Sequence, residues 1–283
     1  MIQDIAPHHL YNEFTPRDPK ADDLIFAFND RKLLASLTPE GCHFPTWEMI
    51  ASHLPENVQP IWLFSLDEIS CFLIMDQELS LSDSFAYYSL RQIRGQQPKH
   101  EVFAAFTAYH LYTWYQSNQF CGRCGTPVVH STKERMVACP NCGNTIYPKI
   151  CPAIIVGVID GERILLTKYA AGRNNPNYAL IAGFTEIGET AEETVIREVQ
   201  EEVGLKVKNI HYYKTQPWGL ACDLLLGFYA ELDGEDTITL DQEELSTGVW
   251  MDRNDIHMED EDFSLTREMI VHFVKEGRKV LHE

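Results

Sequence analysis

The chain has 283 residues, enough for two modest domains with separate cores, and its 45% apolar content is ordinary for a soluble globular protein. The longest apolar-rich run, residues 151–159, is far too short for a membrane-spanning helix. Lys and Arg total 23 against 42 Asp and Glu, and the resulting formal charge of −19 excludes a general nucleic-acid binder while requiring cations to hold any anionic substrate.

In chain order, residues 1–14 carry two acids, two histidines and no Lys or Arg, without the charged start and apolar run of a signal peptide. A soluble protein of a reducing cytoplasm is expected. Short strand-like runs follow at 61–64 and 71–74. Residues 101–116, rich in alanine and aromatics, read as a helix leading into a cysteine-bearing insert at 117–149. Residues 153–159 and 163–169 read as a hairpin around Asp160-Gly161, and 178–184 as a further strand. A helix is expected at 190–203, strands at 207–213 and 223–232, and a last helix at 265–275. Strands and helices mixed without strict alternation indicate an α+β protein. The expected domains are 1–116, 117–149 and 150–283, and no internal repeat is visible in the sequence.

The insert carries Cys121-Gly-Arg-Cys124 and Cys139-Pro-Asn-Cys142, each pair followed by a glycine, Gly125 or Gly143, that permits a tight turn. Two C-x-x-C pairs in a chain of this kind read as a closed, structural Zn²⁺ site rather than as disulfides. A four-sulfur site has no open position for catalysis. The other cysteines, Cys42, Cys71, Cys151 and Cys222, read as buried small hydrophobes. Arg123, Lys133, Arg135 and Lys149 make the insert locally cationic, which reads either as a solvated face or as a hold for a phosphate or an RNA end.

Residues 183–205 run GFTEIGETAEETVIREVQEEVGL. On a helix with Glu198 at zero, Glu202 falls at about 40° and Glu201 at about −60°, so three carboxylates share one face. Val195, Ile196, Val199 and Val203 fall between about 60° and 160°, a separate stripe to bury. Adjacent carboxylates repel unless a hard dication is held between them. Arg197 is positioned to fix one carboxylate's rotamer, and Gly183 and Gly188 let main chain approach a ligand. An acidic helix alone would read as a solvated face. The spacing of glycine, five residues, glutamate, seven residues and R-E-V-Q-E-E-V-G-L is what points to chemistry.

That string resembles the Nudix box, met at Gly183, Glu189, Arg197, Glu198, Val199, Glu201, Glu202, Gly204 and Leu205. The resemblance implies a Nudix α/β/α sandwich that hydrolyses a nucleoside diphosphate linked to another moiety. It implies Mg²⁺ or Mn²⁺ on Glu198, Glu201, Glu202 and the Ala182 carbonyl, with Glu244 as a further metal ligand. Glu189 and Arg197 are carried over with them as catalytic residues, and Glu189, Glu201 and Glu244 stay open as the general base. With FCGRCG at 120–125, IYPK at 146–149 and LIAGFTEIGET at 180–190, the chain resembles the NADH pyrophosphatases, in which a smaller N-terminal α+β domain and a zinc ribbon precede the Nudix domain. Thr215-Gln216-Pro217-Trp218 resembles that family's element for recognising the nicotinamide dinucleotide. The likeness further implies Tyr147 and Phe184 as residues shaping a base site, Arg91, Glu134 and Thr266 as ligand contacts, and a homodimer.

After Trp218 the chain departs from the family's P-F-P pattern, reading Gly219-Leu220-Ala221-Cys222-Asp223, with Asp223 where a serine is expected. Asp223 then stands as a substrate-binding residue of altered charge. Three readings follow. The first is metal-dependent hydrolysis of NADH or NAD to AMP and nicotinamide mononucleotide, extending to NAD caps on RNA. The second is a Nudix pyrophosphatase for ADP-ribose, FAD or a dinucleoside polyphosphate. The third is a nucleotide sensor without turnover.

Overall fold

The computed structural model describes residues 1–82, 84–170, 177–258 and 263–282, and the chain divides into two compact units. One holds residues 2–149 with 219–222, and the other holds Met1 with 150–218 and 223–283. No helix among the described residues is long and apolar enough to cross a membrane.

The first unit is built on β1 (Leu10–Tyr11), β2 (Leu24–Asn29), β3 (Lys32–Thr38), β4 (Gly41–His43), α1 (Trp47–Ile50), β5 (Ile61–Leu66), β6 (Ile69–Met75), β7 (Ala86–Tyr88), α2 (Leu90–Ile93) and α3 (Lys99–Ser117). Its sheet runs β1-β5-β6-β2-β3-β4, with β7 also on β3. Strand parity separates two cores: Ile25 and Ala27 of β2 face Ile50 and Trp47 of α1, while Phe28 stacks on Tyr112 of α3 at 4.7 Å. β8 (Val129–His130), β9 (Val137–Ala138) and β10 (Thr145–Ile146) then form the small sheet of the cysteine insert.

The second unit contains β11 (Cys151–Asp160), β12 (Arg163–Tyr169), β13 (Ile181–Phe184), α4 (Ala191–Val203), β14 (Val207–Trp218), β15 (Asp223–Leu232), β16 (Leu245–Asp252) and α5 (Leu265–Glu276). Its sheet runs β14-β15-β11-β12-β16, with β13 on β11. β11 and β15 are parallel and the other pairs antiparallel. Ile154, Val156 and Val158 of β11 join the core under α4, whereas Ile155 and Ile159 join the core under α5. One strand therefore feeds opposite faces, and the unit is an α/β/α sandwich as expected.

Several expectations need correction. The strand expected at 207–213 continues through Pro217 to Trp218; proline is tolerated because β14 lies at the sheet edge. β16 was not expected, since Gly248 and two polar residues interrupt its apolar pattern. A repeat, invisible in the sequence, is present in the topology: β5-β6-β2-β3 matches β14-β15-β11-β12 in order and in strand direction. Of the four remaining cysteines, Cys42 and Cys71 are buried, but Cys151 and Cys222 are partly exposed.

Candidate functional site

α4 begins with a capping box. The Thr190 side chain accepts from the Glu193 N–H and the Glu193 side chain accepts from the Thr190 N–H, and Gly204 ends the helix in the left-handed region at φ 71°. Thr194, Val195, Val199, Glu202 and Val203 are buried. Ile196, expected in the buried stripe, is 49% exposed. Its angle, about 160° from Glu198, lies beyond the arc that meets the sheet. The three glutamates also do not share one environment. Glu201 points outward at 59% side-chain exposure, Glu198 is largely covered at 13%, and Glu202 is buried at 5% within the arc that Thr194 and Val199 bracket.

Gly183 lies inside β13, and a Cβ there would stand 2.0 Å from Cδ of Glu198. Gly183, expected to let main chain approach a ligand, has another role here: the missing side chain is the space in which the Glu198 carboxylate rests. Arg197 fixes this arrangement. Its Nε and one terminal nitrogen donate to Glu189 at 2.6 and 3.0 Å, and the other donates to Glu198 at 2.7 Å and Glu201 at 2.9 Å. It also donates to the Phe184 carbonyl at 2.9 Å. Such bidentate, charge-assisted bonds are the strong class of hydrogen bond. Glu189 further accepts from Thr194 Oγ1 and the Glu186 N–H. The Arg197 bond, followed by the Glu186 amide, lowers its carboxyl to about 2. Burial raises the Glu198 carboxyl above the ordinary range; Arg197 opposes this, and the charges of Glu201 and Glu244 add to it.

A cleft of about 560 Å³ opens here. Its walls include Ala182, Gly183, Phe184, Arg197, Glu198 and Glu201 on one side, and Gln216, Trp218, Asp223, Leu225 and Thr266 on the sheet and α5, with Glu244 also contributing. Glu189, Glu202 and Pro217 do not line it. Among the described residues, five carboxylates, those of Glu186, Glu198, Glu201, Asp223 and Glu244, line the cleft with one cation, Arg197, which is already shared among glutamates. An anion enters such a cleft only with cations. The carboxylates of Glu198, Glu201 and Glu244 line this cleft together with Ala182, and oxygen donors are the chemistry that hard dications take.

The opposite wall is set by register. Trp218 pairs with Asp223 and Gln216 with Leu225 across β14 and β15, so alternate residues present one face. Gln216 is fully buried: its Nε2 donates to the Phe263 carbonyl at 2.8 Å, and its Oε1 accepts from the Leu265 N–H at 2.8 Å. It ties the start of α5 to the sheet, a role that its place in a recognition element did not reveal. Trp218 meets Phe263 edge to face at 5.6 Å. Phe184 is 55% exposed, open to stacking.

In the other unit, the four cysteines converge. Their sulfurs lie within 4.8 Å of one another, with separations of 3.6 Å for Cys121–Cys142, 3.4 Å for Cys124–Cys139 and 3.6 Å for Cys124–Cys142. A tetrahedron of ~2.3 Å Zn–S bonds has edges of about 3.8 Å, so the donors fit zinc. The two turns are copies: Gly125 N–H bonds to the Cys121 carbonyl at 2.8 Å and Gly143 N–H to the Cys139 carbonyl at 3.0 Å, with the glycines at φ 72° and 71°. Arg135, expected among exposed cations, is instead a staple. It donates to the main-chain oxygens of Leu63 and Asn12 and lies over the Phe14 and Trp62 rings. Tyr147 is 54% exposed beside Glu134, whose charge raises its phenol, and Arg91 is exposed on α2. A Cβ on Gly219 would stand 2.1 Å from the Phe106 carbonyl, and Cys222 lies 3.2 Å from Thr113 Oγ1. The altered segment 219–222 is thus fitted against α3, where a residue larger than glycine would collide.

Comparison with known proteins agrees with this geometry. A family model described as a NUDIX domain matches residues 150–273, and one described as an NADH pyrophosphatase zinc ribbon domain matches residues 116–147. The chain is 40% identical over 169 residues to the NAD-capped RNA hydrolase NudC of Klebsiella pneumoniae subsp. pneumoniae, spanning 59% of this chain and 64% of that protein. It is 36% identical to the protein of that name from Pectobacterium carotovorum subsp. carotovorum, over 68% of this chain and 67% of the relative. For the one from Haemophilus influenzae the identity is 34%, over 69% and 73%.

Proposed function

Because the chain belongs to the zinc-ribbon-bearing NADH pyrophosphatase family of Nudix hydrolases, we propose that it hydrolyses the pyrophosphate bond of NADH or NAD to AMP and nicotinamide mononucleotide. The observation that carries this reading is the Glu198 carboxylate laid on Gly183 at the wall of an acidic cleft, with Glu201 and Glu244 close enough to perturb it.

Glu198, Glu201, Glu244 and the Ala182 carbonyl would hold Mg²⁺ or Mn²⁺, which supplies charge neutralisation at the phosphates and an acidified water. Glu202, buried on the same helix, is proposed with them as a metal ligand. Arg197 keeps Glu198 and Glu201 in one orientation, which limits reorganisation during the reaction. Glu189, lowered to about 2 by its Arg197 pair, is a poor proton acceptor, which supports Glu201 or Glu244 as the base. Trp218 and Phe184 offer flat apolar walls to a ring, and Thr266 a hydroxyl. Tyr147, Glu134 and Arg91 are proposed as ligand contacts, as the family resemblance implies.

The relatives' name, NAD-capped RNA hydrolase, supports NAD-capped RNA ends as further substrates. A homodimer is proposed, as the family resemblance implies. A reducing cytoplasm is proposed from eight cysteines that are all unbridged.

The test is product analysis by mass after incubation with NADH, NAD, ADP-ribose and FAD, with Mg²⁺ or Mn²⁺ and with chelator. AMP and the nicotinamide mononucleotide, formed only with the metal, are expected. Cleavage confined to ADP-ribose or FAD would replace the substrate class, and binding without products would make the protein a sensor.

A further inference from the structure

Asp223 is, with Glu186, one of two cleft acids that the proposed metal arrangement does not use, and the one on the sheet wall. Gly183, on which the Glu198 carboxylate rests, pairs with Ile154 of β11, whereas Asp223 pairs with Cys151 of the same strand. Two strand spacings and three residue steps put Gly183 and Asp223 on the order of 14 Å apart. Oxygen ligands of one hard dication lie within about 2–2.6 Å of the ion, so Asp223 does not share a cation with Glu198. It belongs to the far end of the cleft, directly across the β14–β15 ladder from Trp218 and on the same face.

Asp223 is only 8% exposed; the Trp218 indole stands opposite it across the ladder, and Leu225 lies two residues along its own strand on the same face. A carboxylate in such surroundings interacts with a charge more strongly than one in water. Against the phosphates of any dinucleotide it is unfavourable. Against a flat ring carrying a positive charge it is complementary: the indole face stacks, and both groups attract a cation. Adenine is neutral and gains nothing from that pairing. An N-alkylpyridinium gains from both groups.

We propose that Asp223 and Trp218 form the ring-binding end of the cleft and that Asp223 selects the oxidised, cationic nicotinamide ring over the neutral dihydropyridine. This rests on the nicotinamide dinucleotide reading above and adds to it a preference between the two redox forms. NAD⁺ and NADH share their ribose hydroxyls, phosphates and adenosine and differ at one ring. A ratio of their rates therefore isolates what Asp223 does to ring charge.

The experiment measures kcat and KM for NAD⁺, NADH and ADP-ribose with the full chain, its Asp223→Asn variant of nearly the same shape, and Asp223→Ser. The kcat/KM ratio of NAD⁺ to NADH is expected to fall about tenfold in both variants, equivalent to about 1.4 kcal/mol. The ratio of NAD⁺ to ADP-ribose is expected to fall with it. The change resides mainly in KM, because ring charge is the same in the ground and transition states. A loss shared equally by all three substrates would mark a structural residue and overturn the inference, as would unchanged ratios. If the parental protein cleaves neither nicotinamide dinucleotide, the fault lies in the proposed function instead.

Discussion

The two units carry the same strand plan, and only one of them holds the acidic cleft described above. In each, a hairpin (β2–β3, β11–β12) is followed by a helix, a strand pair whose second member returns parallel to the first strand, and a helix on the opposite face. In the second unit the first helix is α4, thirteen residues long, with its carboxylates turned to a cleft. In the first unit its counterpart is α1, four residues with one acid, Glu48, and the chain before it pairs with β2 through an isolated bridge between Leu24 and Thr46 rather than a ladder. A full β13 ladder on β11 is what fixes Gly183 beneath Glu198. The strand plan is thus shared, whereas the long acidic helix and the strand that seats Glu198 belong to the second unit alone.

The sharpest way to break this comparison is to neutralise both helices' acids. Glu198→Gln should lower kcat with Mg²⁺ by about a thousandfold or more, since it removes a charge that acts at the phosphates. Glu48→Gln should leave turnover within about twofold, because surface substitutions away from a site change little. Steady-state rates, with circular dichroism as a fold check, decide it. If Glu198→Gln retained near-parental turnover, the helix would lose its assignment.

Next in size are the glycines. Gly183→Ala places a carbon where the Glu198 carboxylate lies, and turnover should fall about a hundredfold, as misplacement of a catalytic group does. Gly41→Ala, in β4, meets the Gln97 carbonyl at 2.2 Å from a φ of 143°. It should cost about 2–3 kcal/mol of stability while the folded fraction keeps its kcat. Urea titration and rates per folded molecule separate the two effects. Equal loss of kcat in both would contradict the division of labour.

The zinc site lies within the unit that lacks the cleft, which separates metal for structure from metal for turnover. Cys139→Ser should abolish one bound zinc per chain, measured by elemental analysis, and lower the thermal midpoint by about 10 °C. An unchanged midpoint would mean that these sulfurs hold nothing of consequence.

How much was legible follows the same division. The acid spacing, the two C-x-x-C turns and the hairpin at Gly161 are local patterns, and local patterns can be read. The 100° wheel placed Val195, Val199 and Val203 correctly. It failed for Ile196 and for Glu202, because how far a sheet wraps a helix is a tertiary quantity. The seat for Glu198 on Gly183 depends on the register between β13 and α4, which no window of sequence contains. Gln216, read from its element as a recognition residue, lines the cleft and also braces α5 through main-chain atoms 47 and 49 residues away, partners that no window of sequence contains. The repeated topology left no trace because strand order is conserved by parity and turn chemistry, which many sequences satisfy.

The smallest effect separates two carboxylates bound to the same guanidinium. Glu189 titrates at about 2 when folded, against an ordinary value of 4.5. Its contribution is complete above the ordinary value and is lost as pH falls toward 2. Glu198 is shifted the other way by burial, so in the metal-free protein its ionised form opposes folding once pH has risen through its raised value. In chelator, Glu189→Gln should lower the thermal midpoint at pH 7 by a few degrees, and the gap should close as pH approaches 2. Glu198→Gln should raise the midpoint at pH 7, with an advantage that disappears on acidification. Midpoints measured across pH for the three proteins test both signs at once. Two variants with the same sign would mean that Arg197 treats its two partners alike, and that burial of Glu198 against Gly183 has no energetic consequence.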